Sequence, residues 1–512
     1  MKNKSKQLPT DIDTLHALLL EKDNEIGKLQ SKLDSLIEQL RLARHQRFGT
    51  SSEKQNPQQG ELFDEAESLV EEEDALQTDV VTIPGYERKK AGRKPLPAHL
   101  PRIEVVHDLA DDEKVCAYDG HALHKIGEEI SEQLEIIPAT IRVIKNIRIK
   151  YGCRACEQGI KTASMPKQAI PKSNATPGLL AYVAISKYQD ALPLYRQENI
   201  FKRHGIDIPR ATLANWMIKV GTLFIPLVNL MRDYLVSHRL IHYDETRYQV
   251  LNEPGKTAQS LSYMWVGVAG AIGQRVILFD YSPSRAGHVP VQLLDGFDGY
   301  LVTDDYSGYN AACKKGNITR VGCWAHARRK FDEALKVQKK KSGKAQVAIN
   351  YIAKLYRIET SINALPAEQK QQARQDKSSP IIEEMQVWLE TSLTQVNVTS
   401  KLGIALRYLN NNWVRLTRFL EDGIIPLDNN AAENAIRPFV VGRKNWLHSN
   451  SVKGANASAA IYSMIETAKA NELEPYAYLS YIIKELPLVE TIEQFESLLP
   501  WNVNNEHLAY WH

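Results

Sequence analysis

No stretch of this chain is apolar for long enough to cross a bilayer. Its first residues, MKNKSKQLPTDIDT, lack the apolar core of a secretion signal. Cysteine is scarce: five among 512 residues, an odd number, which argues against a disulfide framework and for a reducing compartment. A large excess of charge of either sign is missing too, the net being +3. The expectation is a cytoplasmic protein with no membrane partner. What remains is an ordinary globular balance, 43% apolar and 24% charged, on a chain too long for one core, so several domains are expected.

The charge is distributed unevenly. Glu61–Asp79 (ELFDEAESLVEEEDALQTD) is strongly acidic, whereas Tyr86–Pro97 and Ile141–Arg154 are basic. Separate basic patches on a near-neutral chain suit a protein that meets nucleic acid at several places.

Leu19, Ile26, Leu33 and Leu40 recur every seven residues, and Leu15, Leu29 and Leu36 fill the second seam, with Lys22 interrupting it. Residues 1–48 therefore read as a coiled coil that self-associates into a homo-oligomer. Residues 49–90 read as an acidic flexible linker. In 91–168 a Pro-rich basic segment comes first, and its Arg93 and Lys94 suit a narrow minor groove. Cys116 follows, then a predicted hairpin, then Cys153 and Cys156. That is a zinc-ribbon-like order with a defective first knuckle. One zinc set is Cys116, His121, Cys153 and Cys156, with Asp119 or His124 as alternatives to His121.

Residues 169–237 are helical. Asp190–Val220 has the spacing of a helix-turn-helix, with Arg210, Thr212 and Asn215 on the second helix. Two packed helices with no DNA role fit that spacing equally. From 238 to 335 the texture is three strands, a short helix and two more strands, a mixed α/β sheet. Residues 336–425 are a helical insertion, 426–471 carry a late helix, and 472–512 form a helical tail. The fold class expected is multidomain α+β / α/β.

Three acids stand out: Asp244 inside the first strand, Asp304 at the end of the fourth, and Glu433 on the late helix. A carboxylate within a buried strand is costly unless neutralised, and a divalent cation does that. Asp305 competes with Asp304, and Asp428 with Glu433. Behind Glu433 the stretch PLDNNAAENAIRPFVVGRKNW turns basic. Arg437, Arg443, Lys444 and Lys453 suit phosphate contacts, and Trp446 suits stacking on a base or a place in the core.

HYDETRYQV, YLVTDDYSGYN, GCWAHARRKF, PLDNNAAENAIRPFVVGRKNWLHSNSVKGA and YSMIETAKANELEPYAYL, in this order, resemble the signatures of the insertion sequence 66 family of bacterial transposases. GRKPLPAHLPR, SEQLEIIPA and LLPWN extend the likeness over almost the whole chain. The resemblance implies a DDE-type transposase with a ribonuclease-H-like core, using magnesium or manganese and acting on element ends and target DNA. Asp244, Asp304 and Glu433 match the family's acidic triad. Cys323 and His326 match a C-x-x-H signature, which adds His326 to the catalytic candidates. The family often works with two small accessory proteins of the same element. A DNA-binding repressor with a dead catalytic fold, and a nuclease that cuts without joining, are the rival readings.

Overall fold

The computed structural model describes residues 11–48, 141–151, 161–162, 165–271, 273–315, 317–337 and 343–508. The chain divides into two units, residues 69–165 and the remainder. In the smaller unit, Lys150–Tyr151 pairs antiparallel with Lys161–Thr162. This ladder flanks Cys153 and Cys156 in sequence. Residues 141–149, expected as part of a hairpin before these cysteines, form no strand. The acidic linker, Arg93, Lys94 and the zinc candidates Cys116, His121, Cys153 and Cys156 lie outside the described residues.

The larger unit begins with helix α1 (Ile12–Phe48). Its heptad side chains Leu19, Ile26, Leu33 and Leu40 are exposed, as are Leu29 and Leu36. The C-terminal end is tied down: Leu42 is buried, and Glu38 accepts the backbone N–H of Lys401 at 2.8 Å.

Helices α2 (Pro177–Tyr188), α3 (Leu194–Arg203), α4 (Arg210–Leu223) and α5 (Ile225–Val236) follow. The chain reverses after α3 through Gly205 at φ 74°, a conformation in which glycine carries no Cβ penalty. Among the described residues no single helix is long and apolar enough to cross a membrane.

The sheet strands are β1 (Leu240–Asn252), β2 (Leu261–Ala269), β3 (Val276–Ser282), β4 (Gly299–Val302) and β5 (Ile318–Val321). Their spatial order is β3-β2-β1-β4-β5. The pairs β3–β2 and β2–β1 are antiparallel, and β1–β4 and β4–β5 are parallel. Helices α6 (His288–Leu293) and α7 (Tyr309–Lys315) supply the crossovers. The fourth strand is shorter than its sequence suggests: the ladder ends at Val302, so Asp304 sits in the loop beyond it. The acid and its hydrogen bonds belong to that loop, not to the strand.

Helix α8 (Trp324–Val337) leads into the insertion, α9 (Lys344–Ile362), α10 (Ala367–Lys377), α11 (Ser379–Gln395), α12 (Lys401–Asn411) and α13 (Trp413–Thr417). These helices have their own apolar core, built around Phe331, Ile352, Met385 and Leu406 and rooted on Val302, Val321 and Trp324. The chain returns through α14 (Asn430–Trp446) to strand β6 (Ser449–Ser451), which pairs parallel with the C-terminal end of β1.

Helix α15 (Val452–Ala470) covers the open edge of β3. Ser463 accepts the N–H of Phe279 at 2.8 Å, Thr467 that of Ile277 at 3.0 Å, and Asn471 that of Arg275 at 3.1 Å. Four helical residues rise about 6 Å, and two strand residues advance roughly 6.6 Å, so the two registers match. A sheet edge that would otherwise template foreign strands is thereby capped. Helix α16 (Pro475–Glu485) packs on α2, and Trp501 stacks on Tyr234 at 4.4 Å. The sequence suggests separate regions for 169–237, the sheet and 472–512, but their apolar residues form one core.

Candidate active site

Strand β1 holds Asp244 opposite Val266 of β2, with β4 on its other side. The carboxylate accepts the N–H of Glu245 at 2.8 Å. It makes no ion pair among the described residues. Burial drives its pKa well above the usual carboxylate range, and the negative charges of Glu245, Asp304 and Glu433 add to the effect. Those couplings bring together the three acids expected from the sequence.

Asp304 is shaped by its loop. Its Oδ1 accepts the N–H of Tyr306 at 2.9 Å. Beneath the loop lies Arg320, a cation within the short strand β5 and only 4% exposed. Arg320 donates to Thr303 Oγ1 at 2.9 Å, Asn310 Oδ1 at 2.6 Å, and the carbonyls of Asp304 and Tyr306 at 2.7 and 2.8 Å. Three of these four contacts go to the 303–306 segment, so the loop is fixed from below. Neighbouring Asp305 points elsewhere, is exposed, and pairs with Arg415 of the insertion at 3.3 Å.

Glu433 stands in the first turn of α14 and is 6% exposed. His326 Nδ1 lies 3.4 Å from its Oε1, and Arg329 Nη2 lies 3.4 Å from its Oε2. Neither Glu433 Oε1 nor His326 Nδ1 makes a hydrogen bond. Burial lowers the His326 pKa, with Glu433 pulling the other way. Asp428, the competing acid, accepts from Tyr356 at 2.8 Å and from the N–H of Asn430 at 3.1 Å. It ties the start of α14 to the insertion.

Asn429, fully buried, fastens the Glu433 helix to the Asp244 strand. Its Nδ2 donates to the Tyr243 carbonyl at 2.9 Å, and its N–H reaches Cys323 Sγ at 3.2 Å. Its Oδ1 therefore faces His242 Nδ1, at 2.9 Å, which must carry the proton. Burial holds His242 neutral, with a pKa of about 4.

Sequence reasoning missed Arg320, Asn429 and Glu245. The Glu245 side chain is 1% exposed. It is held by Arg285, whose Nε lies at 2.7 Å, and by the Tyr309 hydroxyl at 2.6 Å. Arg285 in turn covers the Tyr306 ring at 3.8 Å. A signal was available in the charged residue inside the short strand ITRV; Asn429 and Glu245 carried none beyond standing next to recognised acids.

The basic candidates divide. Arg210 and Asn215 are exposed on α4, and Lys444 and Lys453 are exposed beyond Glu433. Arg437 is half-buried. Arg443 is also half-buried and donates to Thr246 Oγ1 at 3.1 Å, close to the acids in sequence. Trp446 packs edge-on against Phe439 and Tyr248, with centroids at 5.4 and 5.8 Å. Its ring is thus part of the core, the second of the two places open to it.

A mixed sheet that buries one carboxylate without an ion pair among the described residues, with three further acids acting on it, has the makings of an enzyme site. Comparison with known proteins gives the family. Residues 172–457 match the family described as "Transposase IS66 family". Residues 35–105 match "Transposase C of IS166 homeodomain", 113–157 "zinc-finger binding domain of transposase IS66", and 463–501 "IS66 C-terminal element". The chain belongs to the IS66 transposase family. Among its relatives in Sinorhizobium fredii (strain NBRC 101917 / NGR234), "Uncharacterized protein y4jD" is 34% identical over 80% of this chain and 81% of the relative. "Uncharacterized protein y4qI" is 31% identical over 97% of each.

Proposed function

We propose that this chain is a metal-dependent DNA transposase that binds the inverted-repeat ends of its element, cuts a strand there and joins it to target DNA. The observation that carries the reading is Asp244: a carboxylate whose pKa is raised by burial, beside Asp304 and Glu433, with no ion pair to a cation among the described residues. The strand order and the late acidic helix support a ribonuclease-H-like core.

Asp244, Asp304 and Glu433 are all-oxygen donors suited to magnesium or manganese, and bound ions would activate the attacking oxygen and stabilise the leaving one. The chain's own residues fix the geometry. Arg320 holds the Asp304 loop, and Asn429 sets Glu433 against Asp244. His326, kept neutral by burial, leaves the Glu433 charge available. Arg329, 47% exposed beside Glu433, and Arg443 with Lys444 and Lys453 beyond it, contact backbone phosphates. Arg210 and Asn215 on α4, with Arg93 and Lys94, contribute end recognition. The exposed heptad stripe of α1 pairs with a second copy, and zinc is taken by the cysteine-bearing region. Accessory proteins of the same element are further partners in this reading.

Labelled DNA carrying the element's end and flank, incubated with magnesium or manganese, tests the proposal. Cutting at the end and joined products from the native chain, both absent with Asp244→Asn, are expected. Binding without cutting in both proteins would favour the repressor reading, and cutting without joining the nuclease one.

A further inference from the structure

Glu433 faces two kinds of chemistry. On one side are the hard carboxylates of Asp244 and Asp304. On the other, Cys323 and His326 bring a thiol and an imidazole, and the ligand atoms of Cys323, His326 and Glu433 all lie within 4.8 Å of one another. Cys323 closes the segment after β5, and His326 stands in the first turn of α8. The two are locked in register by the helix, while Asn429 fastens Glu433 opposite them.

Two polar atoms here are unsatisfied. Glu433 is more than nine-tenths buried, yet its Oε1 has no hydrogen-bond partner, and neither has His326 Nδ1. At 3.4 Å they already stand at the separation of two ligands on one ion. Zinc bonds of about 2.0–2.3 Å in a tetrahedron place ligand atoms roughly 3.3–3.8 Å apart. Cys323 Sγ therefore needs an adjustment of about 1 Å or less. The Asn429 N–H that reaches Sγ at 3.2 Å is the kind of outer contact that steadies a metal thiolate.

We propose that Cys323, His326 and Glu433 form a soft-metal site that takes zinc and, when filled, turns the acidic site off. The inhibitory half rests on the reading that Glu433 serves the Asp244–Asp304 site. Thiolate and imidazole select zinc over magnesium. Zinc binding releases the Cys323 proton to solvent and recruits Glu433 Oε1 as third ligand, with a water as fourth. Two consequences oppose magnesium: one acidic ligand is withdrawn, and a second positive charge stands beside the place the magnesium must occupy.

The test uses the full-length, reduced, metal-free chain titrated with cobalt(II), a spectroscopic substitute for zinc. The native chain should bind one equivalent more than Cys323→Ser, with a stronger thiolate-to-cobalt absorption. His326→Gln, which keeps a polar group at a half-buried position, should lose the same equivalent and guards against a folding defect at Cys323. Equal stoichiometry in all three would overturn the site. In magnesium-dependent end cleavage, one equivalent of zinc beyond the cobalt-silent remainder should slow the native chain at least tenfold and Cys323→Ser less than twofold. Equal zinc sensitivity would overturn the inhibitory half. A cobalt difference in a chain that never cuts would uphold the site and count against the transposase reading instead.

Discussion

Two buried charges in this molecule are treated in opposite ways. In the insertion, Arg374 is 2% exposed and every side of it is answered. Glu359 takes it through two bonds at 2.8 and 2.7 Å, and the carbonyls of Phe419 and Asp422 accept at 2.7 and 3.0 Å. In the sheet, Asp244 has one backbone N–H and three like charges around it. The first arrangement is complete without any partner; the second is electrostatically incomplete. A fold that can satisfy a buried ion pair so fully in one place, and leaves carboxylates crowded in another, makes the second the candidate place for a bound cation.

The largest effect that tests this contrast is at Asp244. Asp244→Asn should lower metal-dependent cleavage by at least about 10³-fold, the scale of losing a central ligand. The same change should raise metal-free stability by about 1–2 kcal/mol, because a neutral amide avoids the cost of burying a carboxyl group among three other acids. Cleavage kinetics and denaturant unfolding measure the two halves. A stability loss at Asp244 would erase the contrast. Arg374→Ala should do the reverse. It leaves Glu359 unpaired and should cost about 3–5 kcal/mol in unfolding, with no effect on metal affinity in the fraction that folds.

His242 sharpens the comparison, since it is a buried polar group satisfied in its neutral form. Its folded pKa is depressed to about 4, against about 6.5 for a free imidazole. The unfolded chain therefore takes up the proton first as pH falls. The stability that the neutral clip contributes is complete above about pH 6.5 and is lost progressively toward about pH 4, by up to roughly 3 kcal/mol. Unfolding of the native chain and of His242→Gln, measured between pH 7 and pH 4, should differ in slope, with the variant flatter.

Periodicity made much of the scaffold legible. The α1 heptads, the strand–helix alternation from Leu240 and the charged helical insertion appear in the sequence because each depends on side chains close together in it. Asp244, Asp304 and Glu433 stand out in the sequence through their motifs, and the fold sets the latter two where their charges act on Asp244. The supports were not. Arg320 reaches a loop fourteen to seventeen residues away, and Asn429 reaches across 187 residues to His242. The first contact is set by the pairing of β4 with β5 and the second by the meeting of α14 with β1, which no local pattern encodes. Trp446 was ambiguous for the same reason: its neighbour Tyr248 lies on a strand some two hundred residues earlier.

The smallest effect tests the finest distinction, the choice between adjacent acids. Asp304 and Asp305 are chemically alike and both follow the fourth strand, so composition cannot separate them. Their surroundings do. Asp304 is half-buried, fixed through the Tyr306 N–H and coupled to Asp244. Asp305 is exposed and spends its charge on Arg415, a surface pair of a type worth about 0–1 kcal/mol. Asp305→Asn should thus change unfolding by less than about 1 kcal/mol and leave cleavage within about threefold, under half a decade of rate. Asp304→Asn should approach the loss seen at Asp244. If the two substitutions exchanged effects, the metal-facing acid would be Asp305, and the loop held by Arg320 would have to turn over to present it.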